Sequence, residues 1–214
     1  MKTFLIIGMG SFGHHLCRAL AEQKCEVMIV DQRSECLEDM LPQVASARVG
    51  DCTNPEVLRS FSIESFDACF VCLGEDVLGS LQVTSLLKEL GAKKVFSKAE
   101  NDIQAKFLLR NGADEIIYPE LEVATSIAVS ESSDSIFDCI RLTAEYSIYE
   151  LEPMQRWLGQ SLKDLNFRVK YHLTVIAAIR DGIIRPNLSP DYKFCPEDHL
   201  LVLGRSEDIR KVIR

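Results

Sequence analysis

The first 118 residues alternate short apolar runs with longer segments of helical period, and this alternation limits the fold more than any other feature. It is typical of a parallel sheet whose strands are connected by helices. The inner runs are apolar throughout, as expected when helices cover both faces of a sheet. They predict six strands, namely Thr3–Ile7, Glu26–Val30, Ala45–Val49, Ala68–Leu73, Lys94–Ser97 and Glu115–Tyr118.

The segments between these runs carry helix start and stop signals. Asn54 precedes a proline suited to a first helical position, and Gly91 and Gly112 are suited to C-terminal caps. The predicted helices lie near Phe12–Gln23, Ser34–Leu41, Pro55–Phe61, Val77–Leu90 and Ile103–Asn111. We therefore predict an α/β fold with a Rossmann-type, doubly wound parallel sheet over residues 1–120.

A glycine motif joins the first predicted strand to the first predicted helix. Gly8, Gly10 and Gly13 have the spacing G-x-G-x-x-G. The first glycine permits a tight turn, the second lets backbone approach phosphates, and the third allows close packing of helix on strand. The N–H groups at the start of the helix, near Phe12, favour an anion. The motif predicts the phosphate site of an adenine nucleotide; the alternative is a turn without a ligand.

Asp31 ends the second predicted strand, about 20 residues after the loop, where a carboxylate accepts hydrogen bonds from ribose hydroxyls. Its charge disfavours a ribose 2′-phosphate, although Arg33 lies close enough in sequence to offset that effect. Asp31 therefore favours adenosine nucleotides or NAD(H) over NADP(H).

Further candidates lie where later strands end, because the carboxyl ends of parallel strands face the ligand crevice. Asp51, Cys52 and Thr53 follow the third strand, where they either meet the adenine or form only a turn and a helix cap. Lys98 follows the fifth strand and is a candidate for a phosphate contact. The remaining cofactor-binding candidates are Ser11, Gln32, Arg33, Leu73, Gly74 and Glu75.

After Pro119 the pattern changes. Residues 120–140 are predicted to form a crossover helix, Glu120–Ser133, and a linker whose most linker-like stretch is Ser130–Ser135. Residues 141–214 are predicted to form a small α+β domain with a hairpin at Asp181-Gly182. A module of this size is marginally stable alone, so we expect the chain to form a multimer. The predicted elements are Tyr146–Leu151, Ser161–Leu165, Leu173–Arg180, Ile183–Arg185, Asp198–Leu203 and Glu207–Ile213.

Charge and composition exclude several classes of partner. The net charge is −8 and no Lys/Arg-rich run is present, which argues against nucleic acid and against an anionic membrane surface. The apolar runs are too short for a membrane span and the N-terminus lacks a signal-peptide cleavage site, so we expect a cytoplasmic protein. Cys69 and Cys72 form the only C-x-x-C, but a strand sends them to opposite faces, so we expect buried, reduced thiols.

The histidines do not suggest catalysis. His14 and His15 follow the glycine loop, where at most one can face a ligand, while His172 and His199 lie in the C-terminal domain without an acidic or cysteine partner at useful spacing. A dehydrogenase needs an acid/base group placed against the nicotinamide. We therefore expect structural or surface histidines, and a site that binds a nucleotide without turning it over.

The order of these features resembles the RCK (KTN) regulatory proteins, the cytosolic nucleotide-sensing subunits of Ktr/Trk potassium uptake channels. The runs Ala144–Glu150 and Leu165–Tyr171 resemble the C-terminal subdomain of that family, and the Ktr gating-ring subunit most of all. The resemblance implies dimers that assemble into an octameric ring beneath a potassium-translocating membrane protein. It also implies that Glu120 lies near the nucleotide phosphates, where Mg²⁺ or Ca²⁺ can bind at the dimer interface.

Three positions depart from the family pattern. Ser11 stands where Ktr regulators often carry an arginine that reaches the terminal phosphate. Some relatives bind cyclic di-AMP through a C-terminal motif; here Arg168 is the matching candidate, but Asn166 replaces the expected acidic residue and Lys163 an expected aliphatic one. Two other functions stay open on the sequence alone, namely an NAD-dependent oxidoreductase and a free-standing nucleotide or redox sensor.

Overall fold

The computed structural model describes residues 1–143 and 145–213. Ala144, which begins one of the two C-terminal runs quoted above, and Arg214 lie outside the described residues. The chain divides into two compact units, Met1–Tyr118 and Pro119–Arg214. Among the described residues, no helix is both long and apolar enough to cross a membrane.

The first unit, every residue of which is described, is a parallel sheet covered by helices, which confirms the predicted fold class. The strand order is β3-β2-β1-β4-β5-β6, so the chain reverses its direction of travel across the sheet between β1 and β4. Ligands of doubly wound sheets bind at such a reversal. The strands are β1 (Thr3–Ile7), β2 (Glu26–Asp31), β3 (Ser46–Val49), β4 (Ala68–Val71), β5 (Val95–Lys98) and β6 (Glu115–Ile117).

The helices of the first unit begin and end close to their predicted positions. Asn54 and Asn101 cap two of them, each accepting a hydrogen bond from a backbone N–H of the first turn. The helices are α1 (Ser11–Glu22), α2 (Pro55–Arg59), α3 (Val77–Glu89) and α4 (Asp102–Arg110).

One predicted helix of this unit is wrong. Ser34–Leu41 is not an α-helix but two short 3-10 helices, Ser34–Cys36 and Glu38–Gln43. Pro42 lies within the second and has no N–H to donate, which prevents an α-helical hydrogen-bond ladder from continuing there. This segment connects β2 to β3 and lies next to the first turn of α1.

The inner strands β1 and β4 are largely buried on both faces, as their apolar sequences predict, whereas the edge strand β3 is partly exposed. Cys69 packs with Leu5 and Val71 in one core cluster, whereas Cys72 packs with Phe70 and Ile6 in another. The prediction that the two cysteines point to opposite faces is confirmed. All eight cysteines of the chain are free thiols.

The described part of the second unit contains a largely antiparallel sheet with strand order β10-β9-β11-β8-β7. Asp181 and Gly182 both have positive φ and form the tight turn between β9 and β10, as predicted. The strands are β7 (Ile136–Arg141), β8 (Tyr146–Leu151), β9 (Thr174–Arg180), β10 (Ile183–Pro186) and β11 (His199–Arg205). The helices are α5 (Pro119–Glu131), α6 (Phe167–Tyr171) and α7 (Ser206–Ile213).

Residues 136–140, which the sequence analysis assigns to the linker, form most of β7. An irregularity between Ile136 and Asp138 puts buried residues at Ile136 and Cys139, three positions apart, so the strand lacks the alternation of period two that would reveal it. The helix α5 packs against β7, and Ser126 donates a hydrogen bond to the carbonyl of Cys139 at 2.8 Å.

The predicted helix Ser161–Leu165 is also wrong. Ser161 and Asp164 bond to each other's backbone and side chain, which closes a turn instead of a helix. Asn166 then adopts a left-handed conformation at φ 46°, and α6 begins one residue later. Its Phe167 packs with the fully buried Trp157 in the core of this unit.

Candidate nucleotide-binding site

The glycine loop connects β1 to α1 at the reversal point of the sheet. Gly8 has φ +92°, and a Cβ placed there would lie 2.9 Å from the carbonyl oxygen of Cys72. A Cβ on Gly13 would lie 2.3 Å from the carbonyl oxygen of Gly8. These two positions therefore need glycine for the turn and for helix–strand packing, as predicted.

Gly10 differs from these two positions, because neither its backbone conformation nor the surrounding space requires a glycine. It lies at the N-cap of α1 and is exposed, and a Cβ added there would have no atom within 4 Å. No side chain caps this end of the helix, and its first turn begins at Ser11 and Phe12. The backbone N–H groups of that turn consequently face open space, which is the arrangement that binds an anionic group at a helix N-terminus.

The carboxylate of Asp31 is oriented by two backbone donors. The N–H of Met9 lies 2.7 Å from one oxygen, and the N–H of Arg33 lies 2.9 Å from the other. The side chain is only 11% exposed, while the Arg33 guanidinium is mostly exposed and its Nε lies 3.9 Å from the carboxylate. Each carboxylate oxygen has two lone pairs, so acceptor capacity remains for ribose hydroxyls. Gln32, which lies between Asp31 and Arg33 in the sequence, is exposed.

The loop after β3 is fixed by its own side chains. Asp51 accepts hydrogen bonds from the hydroxyl and the N–H of Thr53, at 2.7 and 2.9 Å, and these bonds hold the pKa of Asp51 below its ordinary value. Cys52 is buried, which raises the pKa of its thiol to about 12. Gln82, on α3, donates to the carbonyl of Thr53 at 2.8 Å and ties the loop to that helix.

The ends of β4 and β5 supply the remaining candidates of the first unit. Gly74 has φ +51°, follows the half-buried Leu73, and precedes the exposed Glu75. The Lys98 side chain is only 12% exposed, and its ammonium lies 3.7 Å from a carboxylate oxygen of Glu100. The lysine is therefore held at the edge of the sheet rather than extended into solvent.

All of these candidates lie at the same edge of the sheet, because the strands that carry them run parallel. The structure thus brings together the candidates from five strand ends. Glu120 and Arg168 belong to the second unit instead: both are exposed, Glu120 in the first turn of α5 and Arg168 on α6.

Sequence reasoning missed several residues that shape this edge. Asp76 caps α3 by accepting from the N–H of Gly79 at 2.8 Å, and an aspartate just before a helical run is a readable cap signal. Gln104 is buried and joins the N–H of Glu100 to the carbonyl of Gly74, at 2.9 and 3.4 Å. Nothing local in the sequence predicts that long-range bridge.

Histidine partners were also missed. His199 has no acidic partner nearby in the sequence, but its Nδ1 lies 2.7 Å from a carboxylate oxygen of Glu150. The two residues are on neighbouring strands, β11 and β8, and are 49 positions apart in the chain. His14 contacts Gly10 of the glycine loop. Within the described residues, no cluster of three or more His, Cys, Asp or Glu side chains could hold a metal ion.

Known proteins are similar to this chain over nearly its full length. Residues 4–119 match the TrkA-N domain and residues 146–214 match the TrkA-C domain. Ktr system potassium uptake protein C of Bacillus subtilis is 34% identical over 98% of this chain and 95% of its own length. The chain belongs to the Ktr family of potassium uptake proteins. The resemblance stated from the sequence is therefore confirmed.

Two more proteins are similar to this Ktr-family chain, one in sequence and one in structure. Ktr system potassium uptake protein A of Bacillus subtilis is 33% identical, again over 98% of this chain and 95% of its own length. Among solved structures, the GsuK channel bound to NAD superimposes with a TM-score of 0.68 over 97% of this chain and 38% of its own. At 13% identity, that match shows a shared fold.

Proposed function

We propose that this Ktr-family chain is the nucleotide-binding regulatory subunit of a potassium uptake system. The observation that carries the proposal is the uncapped N-terminus of α1 beside the oriented carboxylate of Asp31, in a chain that matches Ktr potassium uptake proteins from end to end. The ligand is an adenine nucleotide, ATP or ADP, or NAD(H). Its phosphates lie over Gly10 and its ribose hydroxyls donate to Asp31.

The site binds its ligand without chemistry. General acid–base catalysis at neutral pH needs a group whose pKa lies near the working pH. Hydrogen bonds lower the pKa of Asp51, so it stays ionised, and burial raises that of Cys52 to about 12, so it stays a thiol. Asp31 is already engaged by two backbone donors. These three groups are therefore poorly suited to act as a general acid or base, which favours a binding and reporting site over an oxidoreductase.

The chain acts at the cytoplasmic side of the membrane through a potassium-translocating partner. Following the family pattern, the functional form is a homo-oligomer of dimers that closes into an octameric ring. Nucleotide exchange changes the shape of that ring and thereby the conductance of the pore. If this chain binds cyclic di-AMP as a second ligand, Arg168, exposed on α6, is the residue that would contact it.

Removing the ribose acceptor tests this function. In Asp31→Ala, affinity for nucleotide should fall about tenfold or more, because a hydrogen bond to a charged group contributes about 1.5–3 kcal/mol. Titration calorimetry with ATP, ADP and NAD measures the effect. In vesicles that contain the membrane subunit, the same variant should lose the nucleotide-dependent change in potassium uptake.

Glu35→Ala is the matched control, since Glu35 is an exposed acid a few residues farther along the same connection. It should bind nucleotide as the unchanged protein does. Unaltered affinity in Asp31→Ala would reject the site, and a chain that binds none of the three nucleotides would reject the function.

Ser11 leads to a second prediction. A serine hydroxyl replaces the charge-assisted contact that an arginine makes to a terminal phosphate, so discrimination of ATP from ADP should be weak in chelator. A divalent ion held by Glu120 and the phosphates should restore it, so the ratio of the two dissociation constants should grow with Mg²⁺ or Ca²⁺. Following the family pattern, the phosphates and a second copy of the chain would supply the other ligands of that ion.

Measuring both dissociation constants with and without divalent ions shows whether a divalent ion or a basic side chain contacts the terminal phosphate. Glu120→Gln should abolish the growth of the ratio, whereas Glu122→Gln, an exposed acid on the same helix, should preserve it. A strong preference for ATP in chelator that Glu120→Gln does not change would indicate that Lys98 or Arg33 contacts the terminal phosphate instead.

A further inference from the structure

The side chain of His14 connects the glycine loop to the 3-10 helix Glu38–Gln43. Its Nδ1 lies 3.0 Å from the carbonyl oxygen of Gly10, and its Nε2 lies 3.1 Å from a carboxylate oxygen of Asp39. The imidazole is 25% exposed and the Asp39 side chain 57%. The ring is thus bonded on both sides while still open to exchange of protons with water.

Both partners of this ring only accept hydrogen bonds. A carbonyl oxygen has no proton to donate, and neither has an ionised carboxylate. A neutral imidazole carries one N–H and can satisfy one of the two. The protonated ring donates from both nitrogens and satisfies both, so the observed geometry suits the cationic form of His14.

The bond to Gly10 acts on the peptide group that the phosphates would meet. The Gly10 carbonyl also accepts the backbone N–H of His14 at 3.0 Å, so His14 holds it twice. The peptide unit is planar and trans, so fixing that carbonyl along the helix fixes the N–H of Ser11 in the opposite direction, outward from the helix end. A cation on the carbonyl side also polarises the peptide and strengthens its N–H as a donor.

Charged groups of both signs surround the ring. From the neighbouring 3-10 helix, Asp39 contacts it, with the exposed Glu38 next to Asp39. On α1 itself, Arg18 lies one turn further on and the helix dipole disfavours positive charge at this end. Burial and the charge of Asp39 raise the pKa of the Cys17 thiol to about 11, so it is neutral.

At the end of β2, Asp31 is engaged by Met9 and Arg33. Asp39 is therefore the only carboxylate bonded to the ring among the described residues, and a bound phosphate would add a second negative charge nearby.

We propose that His14 is a positioning residue of the nucleotide site, whose protonated ring fixes the Gly10–Ser11 peptide and places positive charge behind it. Nucleotide affinity then falls as rising pH removes the proton. The inference rests on the proposed nucleotide site and adds a pH response to it. By linkage, nucleotide binding also takes up protons at pH values where the ring is partly charged.

The test compares His14→Asn with the unchanged chain across the range in which histidine titrates, from about pH 6 to about pH 8.5. Asparagine keeps an N–H donor for the Gly10 carbonyl. It carries no charge, and its side chain is too short to contact Asp39 as well. The readout is the ratio of the two dissociation constants for ADP, so any titration of the ADP phosphates cancels. We expect the variant to bind about three- to tenfold more weakly at the acid end and equally at the alkaline end.

Two further variants sharpen the test. His15→Asn changes an exposed histidine on the same helix and should leave the ratio near one at every pH. Asp39→Asn leaves α1 unaltered and should weaken ADP binding in the same sense as His14→Asn, because it removes the charged partner that holds the ring on its Nε2 side. Asp39→Asn therefore tests the role of His14 even if His14→Asn does not fold.

A ratio that stays constant with pH in both His14→Asn and Asp39→Asn would overturn the role of His14 while leaving the nucleotide site intact. Absence of ADP and NAD binding by the unchanged chain at every pH would overturn the proposed function itself.

Discussion

Gly10→Val should abolish nucleotide binding without unfolding the protein. Gly10 has φ −75° and ψ −172°, which any residue adopts, and a side chain there meets no atom within 4 Å. The valine would instead fill the space over the first turn of α1. Losing two charge-assisted hydrogen bonds costs about 3 kcal/mol or more, so affinity should fall at least about 100-fold.

Calorimetric titration with ATP, ADP and NAD measures that loss, and a thermal melt should show a change in unfolding free energy below about 1 kcal/mol. The neighbouring substitution Gly13→Ala is the contrasting control. Its methyl would lie 2.3 Å from the Gly8 carbonyl, so that variant should lose stability as well as binding. Normal affinity in Gly10→Val would place the phosphates elsewhere on the chain.

The second unit depends on one buried carboxylate. Asp198 is fully buried and accepts hydrogen bonds from the Arg180 guanidinium at 2.6 and 2.9 Å, the Tyr192 hydroxyl at 2.9 Å and the Cys195 N–H at 2.9 Å. Asp198→Ala would leave all of these donors without their acceptor. Breaking a buried ion pair by removing one partner is strongly destabilising, and we expect a loss of about 3 kcal/mol or more.

The chain offers an internal reporter for this measurement. Trp157 is its single tryptophan and lies fully buried in the core of the second unit, so its fluorescence during urea unfolding follows that unit. Asp198→Ala should move the fluorescence midpoint to lower urea. Glu197→Ala, which removes an adjacent exposed carboxylate, should move it little. An unchanged midpoint in Asp198→Ala would show that the network contributes nothing to folding.

The sequence predicts the first unit well because its signals are local. Short apolar runs and cap residues such as Asn54 give every strand and four of the five predicted helices to within about two residues. The exception, Ser34–Leu41, has the apolar spacing of a helix but ends at Pro42, and spacing does not distinguish an α-helix from short 3-10 helices.

The second unit is harder to predict because tertiary contacts replace local pattern. The alternation of β7 is interrupted at Phe137, and α6 is displaced by the Ser161–Asp164 turn and the left-handed Asn166. In the site, glycine spacing and the position of Asp31 are readable from the chain alone. The contact of His14 with Asp39 is not, because it joins residues 25 positions apart through a segment whose conformation the sequence misassigns.

The packing of α5 on β7 affects how this chain can be divided and recombined. Because α5 shares a compact unit with β7, a fragment that starts at the predicted domain boundary near residue 141 would lose both the helix and most of the strand beneath it. The piece that two relatives can exchange as a whole therefore begins at Pro119. A chimera joined between Tyr118 and Pro119 would exchange the entire second unit while keeping the glycine loop and Asp31 of its host.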